Sequence, residues 1–218
     1  MRKTSVLLAL LMPLSVAAGE PTSGATPYLA LYQVLAPARS IRAYDHLLAI
    51  ERVESKLPGV RAQDIRITIR ARGGAIAVPV AADGSVDFPA SDELQAENPA
   101  VETNQPKGSL MLTVHAALRV PDSLRVPWSE VDAGLRQAEE LFAKTSEGSA
   151  ANAKPRGVEI LFDGSGPASV TLAGKSELLL QAGADGRTLV TRDMVVESER
   201  PVLVFSRRPY RLSPWVGD

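Results

Sequence analysis

The chain predicts an α+β, mostly β fold, with antiparallel sheets or a β-sandwich-like core and two helices packed on it. Three observations carry this expectation. Apolar and polar residues alternate through several segments, as half-buried strands require. Asp-Gly and Gly-rich turns separate those segments. Helical periodicity occurs only twice at length, without the regular strand–helix–strand order of a parallel sheet.

The chain opens on a leader pattern. Arg2 and Lys3 form a short positive region, residues 6–14 an apolar one broken only by Pro13, and Val16-Ala17-Ala18 a run of small residues. This is the layout of a secretory signal peptide cleaved after Ala18. The apolar run is shorter than the roughly 20 residues a membrane-spanning helix needs. Residues 19–27 (GEPTSGATP) read as a disordered leader. The remainder, 28–218, reads as a single globular domain or as two lobes over 28–127 and 128–218.

Cysteine is absent. Disulfides, thiolate metal sites, a cysteine nucleophile and acylation at the cleavage site are therefore excluded. Cohesion must come from burial, which a 45% hydrophobic content allows, and aliphatic packing dominates because aromatics make up only 5%. Cleavage would remove Arg2 and Lys3 and no acidic residue, taking the formal charge from −1 to −3 (22 Lys and Arg against 25 Asp and Glu). A mildly acidic chain carries no electrostatic footprint for nucleic acid.

In order, Tyr28 to Val34 reads as a first strand. Ser40 reads as the cap of a helix running to about Lys56, with Ile41, Tyr44, Leu48 and Val53 near helical spacing and Pro58-Gly59 as its stop. Ile65, Ile67 and Ile69 alternate with Arg66, Thr68 and Arg70. Ile76, Val78 and Val80 repeat the pattern, Asp83-Gly84 turns the chain, and Val86 and Phe88 resume it as a hairpin. Pro79 cannot donate to a ladder and marks an edge or a bulge. Residues 89–109 read as a long polar loop holding a short helix at Asp92 to Ala96. Leu110 to Val120 is the clearest strand, with Leu110, Leu112, Val114, Ala116, Leu118 and Val120 on one face. Ser129 opens the second helix, with Val131, Leu135, Ala138 and Phe142 as its buried stripe. Gly134 costs that helix about 1 kcal/mol relative to Ala. Residues 145–157 read as a mobile linker. The last third reads as strands and hairpins around Val158–Phe162, Val170 and Leu172, Leu178–Leu180, Leu189 and Val190, Val195-Val196 and Val202–Phe205.

Candidate chemistry is sparse. Gly174-Lys175-Ser176 resembles the end of a phosphate-binding loop, but that loop needs a glycine where Ser169 stands, and strand-like flanks make the tripeptide a hairpin turn. No Gly-x-Ser-x-Gly, His-Glu-x-x-His or dinucleotide glycine pattern is present. His46 and His115 are the two histidines. Histidine is the side chain most often used for acid–base work, but a solvated histidine is the preferred account of each. Their spacing, with Asp45, supports no metal site. Arg66, Arg70 and Arg72 project from one strand face, able to grip carboxylate or phosphate or simply to meet solvent. The preferred binding site is the loop carrying Glu97, Asn98, Asn104, Gln105 and Lys107, where Pro99 and Pro106 restrict the backbone. The same residues make ordinary turns.

Val78-Pro79-Val80, Asp83-Gly84, Phe88-Pro89 and Glu97-Asn98-Pro99 together resemble a domain of unknown function in exported proteins of proteobacteria, over residues 60–120. The resemblance implies a periplasmic location and transfers no residue role. The sequence thus reads as a periplasmic or secreted, non-catalytic binding or accessory module of the cell envelope. Its partner would be an envelope protein or a small ligand, and it needs no catalytic residue, cofactor, metal, nucleic acid or, after cleavage, transmembrane segment. The alternatives are an envelope hydrolase using His115 or His46, and a structural role in an envelope assembly.

Overall fold

A computed structural model describes residues 25–145, 154–164, 166–196 and 200–217. The expected signal peptide, residues 19–24 of the expected leader and residues 146–153 of the expected linker lie outside the described residues. In chain order the elements are β1 (Thr26–Pro27), α1 (Tyr28–Val34), α2 (Ala36–Arg42), β2 (Leu47–Ser55), β3 (Ile67–Ala71), β4 (Gly74–Val78), β5 (Ser85–Val86), α3 (Asp92–Glu97), β6 (Ala100–Thr103) and β7 (Leu110–Leu118). Then follow β8 (Arg125–Pro127), α4 (Trp128–Thr145), β9 (Gly157–Leu161), β10 (Ser169–Ala173), β11 (Glu177–Gln181), β12 (Arg187–Thr191), β13 (Val202–Phe205) and β14 (Arg211–Trp215). The fold is α+β and mostly β, with antiparallel sheets. Among the described residues no helix is long and apolar enough to cross a membrane.

The described residues divide into two units, an amino unit of 25–39 and 49–115 and a carboxyl unit of 40–48 and 116–217. In the amino unit a four-stranded sheet runs in the order β1-β6-β3-β4. Ile67 and Ile69 of β3 face inward, and Ile67 pairs with Val78 and Thr103 on its two sides. β4 is an edge strand, which is why Pro79 is tolerated beside it. The Asp83-Gly84 turn forms as expected: the Asp83 carboxylate accepts from Ser85 N at 3.0 Å, and Gly84 takes a positive φ of 85°.

In the carboxyl unit one sheet runs in the order β11-β10-β13-β8, while β9 lies between β12 and β14 and Leu212 of β14 pairs with Leu118. Their apolar faces and α4 close one core, built around Leu135, Val158, Ile160, Val170, Val190, Leu203 and Leu212. Gly134 has a packing reason. A Cβ there would stand 2.9 Å from the Leu118 Cδ2 atom, so the helix approaches Leu118 more closely than alanine permits. Gly174-Lys175-Ser176 is the turn of the β10–β11 hairpin, closed by Gly174 N donating to Ser176 O at 3.1 Å.

Several expectations are corrected. Tyr28 to Val34 is a helix rather than a strand, because Tyr28, Tyr32 and Leu35 recur at helical spacing with Tyr28 and Leu35 buried. The Tyr28 and Tyr32 rings, one turn apart, lie 6.0 Å from centroid to centroid. The helix expected from Ser40 to Lys56 stops at Arg42, and 47–55 is a strand. Its period of two is hidden by Glu51, which is only 3% exposed and shares the inward face with Leu47 and Val53. The Glu51 carboxylate accepts from Phe88 N at 3.1 Å. Thr26 and Pro27, read as leader, form β1 against Val101 and Ala100. The polar loop contains β6, a third strand signal lost among turn residues. The face of β7 expected to be polar is buried at Thr113 and Ala117. Ile76 of β4 is exposed rather than inward. Val195-Val196 adds no strand but follows a 3₁₀ turn at Arg192–Met194.

Candidate functional site

The residues of the expected binding loop are engaged with their own backbone. Asn98 ends α3 in the left-handed conformation, φ 49°, and its Oδ1 accepts from Leu29 N at 2.9 Å. Asn104 acts as a two-way latch. Its Oδ1 accepts from Arg66 N at 2.9 Å and its Nδ2 donates to Asp64 O at 2.8 Å. The Glu97 carboxylate accepts from Arg72 N. The Gln105 backbone N–H donates to the Thr103 hydroxyl at 3.2 Å. The Asn98, Asn104 and Glu97 side chains thus hydrogen-bond main-chain groups 25 to 69 residues away in sequence that the fold brings alongside them. Lys107 alone reaches a cavity, a space of about 90 Å³ in the amino unit walled mainly by Leu31, Val53, Ile67, Phe88 and Leu110. That volume suits a few methyl groups and is a packing gap.

The arginine row is only partly a row. Arg66, Arg70 and Arg72 are all exposed, and Arg70 Nε pairs with Glu102 on neighbouring β6 at 2.7 Å. Arg66 and Arg72 flank β3, and their backbone amides belong to the Asn104 and Glu97 bonds. His46 lies in the turn before β2 rather than on a helix. Its N–H donates to Gln137 Oε1 at 2.9 Å and its carbonyl accepts from Arg119 N at 2.9 Å. His115 sits on β7, half-buried, with a 3.0 Å hydrogen bond joining its Nε2 to the Thr113 hydroxyl. Neither histidine lines the cavities described here. Among the described residues no group of three or more His, Cys, Asp or Glu is placed to hold a metal ion.

A cavity of about 670 Å³ lies in the carboxyl unit where β8 becomes α4. Pro127 ends β8 and Trp128 begins the helix. Trp128 N donates to Pro201 O at 2.9 Å, and Val202 pairs with Pro127, so the start of β13 forms the opposite wall. Pro127, Trp128, Ala133, Pro201 and Val202 make the surface largely apolar. Trp128 is itself part of the buried core, so this wall is anchored.

Polar groups come from one face of α4 and from Arg200. Asp132 and Arg136, four residues apart, share a helix face. The Arg136 Nε donates to Asp132 Oδ2 at 2.8 Å, while the Asp132 Oδ1 stands 2.8 Å from an Arg192 terminal nitrogen. The Asp132 side chain is 11% exposed and that of Arg136 74%, so the carboxylate is withdrawn and the guanidinium faces solvent. Arg200 lines the cavity with φ 49°. That conformation is uncommon outside glycine, and a following proline further limits the backbone. Ser129 stands on the first turn of α4, where helical N–H groups lack intrahelical acceptors and the dipole is positive.

None of Asp132, Arg136, Arg192 and Arg200 is among the residues the sequence marks as a candidate site. The Asp132/Arg136 spacing was legible. The approach of Arg192 and Arg200 depends on β12 and β13 returning to the start of α4. No protein-family model, curated protein or solved structure matches this chain, so the site stands on its own geometry.

Proposed function

We propose that this chain is an exported, periplasmic protein of the cell envelope that acts as a non-catalytic binding module, taking a small molecule in the cleft at the start of α4. The cleft carries the reading. Its volume falls within the roughly 300–1,000 Å³ of small-molecule sites, and it combines an apolar wall with a few convergent polar groups, as such sites do. The leader pattern of residues 1–18 supports export. The binding reading is preferred to a hydrolase because neither His46 nor His115 lines the cleft at the start of α4.

The test is recovery of the full chain expressed in a bacterium, followed by native mass spectrometry. The expected result is a periplasmic form beginning at Gly19 with a bound small molecule, and loss of that molecule in Ala133→Trp, whose indole would fill the cleft. Cytosolic retention with an intact leader would overturn the export reading. Identical spectra for both proteins would overturn the binding reading.

A further inference from the structure

We infer that the cleft at the start of α4 selects an amphipathic organic acid, with an apolar body along Trp128, Pro201 and Val202 and one anionic group at Arg136 and Arg200. The inference rests on the binding reading above and adds the chemical class of the ligand.

Charge decides the class. Two guanidinium groups, of Arg136 and Arg200, line a cleft whose wall holds one carboxylate, Asp132, which is itself paired with a third guanidinium, that of Arg192. Both Asp132 oxygens are already engaged, one by Arg136 and one by Arg192, and the side chain is withdrawn from solvent. A cationic ligand therefore finds no open acceptor there. Arg136 contacts Asp132 through Nε and its side chain is 74% exposed, so its terminal nitrogens remain available to grip carboxylate or phosphate oxygens. Arg200 makes no ion pair or hydrogen bond among the described residues. The positive end of the α4 dipole beside Ser129 adds in the same sense.

Shape decides the rest. A free inorganic anion would leave the apolar wall wet and most of the 670 Å³ unused. At roughly 30 Å³ per small group, the space takes on the order of 20 non-hydrogen atoms. A polyanion is disfavoured because the chain as a whole carries a slight negative charge and the arginines form one cluster rather than a stripe. An acid with one charged head and an apolar body uses both halves of the surface.

The experiment titrates the full-length processed protein with decanoate, 1-decanol and decyltrimethylammonium by calorimetry, alongside Ala133→Trp and the double variant Arg136→Ala/Arg200→Ala. The Asp132–Arg192 pair remains in the double variant, so the fold is expected to persist, checked by an unchanged melting temperature. Decanoate should bind about 10-fold or more tightly than decanol, fall to the decanol level in the double variant, and lose binding in Ala133→Trp. Decanol or the ammonium binding as tightly as decanoate would overturn the acid inference while leaving a binding cleft in place. Binding of none of the three would overturn the amphiphile inference, with the mass-spectrometric test still deciding the broader reading. Sedimentation with phosphatidylglycerol vesicles but not phosphatidylcholine vesicles, lost in the double variant, would overturn a free acid in favour of a bilayer headgroup.

Discussion

The loop at 97–107 and the start of α4 are built from similar material, yet they put it to opposite use. Both combine charged or amide side chains with prolines. In the loop, Asn98, Asn104 and Glu97 bond to Leu29, Arg66, Asp64 and Arg72 main-chain groups and hold the amino unit's elements together. At α4 the helix satisfies its own backbone beyond the first turn, so among the described residues Arg136 bonds Asp132 through Nε while its side chain stays 74% exposed. Residue type sets what a side chain can bond. The main-chain groups that the fold brings beside it decide whether that capacity is spent within the protein or left for a ligand.

Three substitutions sharpen or break this contrast. Trp128→Ala should have the largest effect, about 3–5 kcal/mol of lost stability in urea unfolding, because it empties a core position and removes the cleft floor together. Asn104→Ala should cost about 1–2 kcal/mol, since two main-chain partners lose their bond. Ligand recovery by native mass spectrometry should be unchanged. If Asn104→Ala instead abolished ligand recovery at full stability, the loop would be the site and the contrast would be inverted.

Tyr28→Phe tests a smaller latch in the amino unit. The Tyr28 hydroxyl donates to Pro89 O and accepts from Ser91 N, tying α1 to the segment before α3. Its loss should cost about 1 kcal/mol at neutral pH. Burial raises the phenol above its ordinary value of 10.0. The neutral form is therefore favoured in the folded state, and its stability is complete below the unfolded value and lost as pH rises through the raised one. Unfolding measured between about pH 9 and 11 should show an alkaline decline in the parent that Tyr28→Phe reduces. Equal declines in both proteins would place the titrating group elsewhere.

Legibility followed the local signal. β3, β4 and the Asp83-Gly84 turn were readable because alternation and turn chemistry agreed, but the hairpin expected across that turn is reduced to a Val80–Val86 bridge, because β4 pairs with β3 and β5 with β2. β2 was misread because the buried Glu51 broke the apolar period that marks a strand, its acid finding a partner in Phe88 N. α1 was misread because a seven-residue apolar run fits either period. β6 was missed because Ala100–Thr103 is short and lies between turn residues. The candidate site was legible only as an Asp132/Arg136 helix pair.

What the sequence by itself determined is the mostly β character, the absence of cysteine chemistry, the turns at Asp83-Gly84 and Gly174-Lys175-Ser176 and the apolar stripe of α4. These follow from side-chain direction along strand and helix and from the few residues that allow tight turns. Tertiary structure alone decided that the beginning of β13 closes over the beginning of α4, that Arg192 and Arg200 join Asp132 and Arg136 there, and that the asparagines of the loop turn inward to the backbone. Each of these depends on partners remote in sequence, and a local pattern holds no record of which distant backbone groups will arrive beside it.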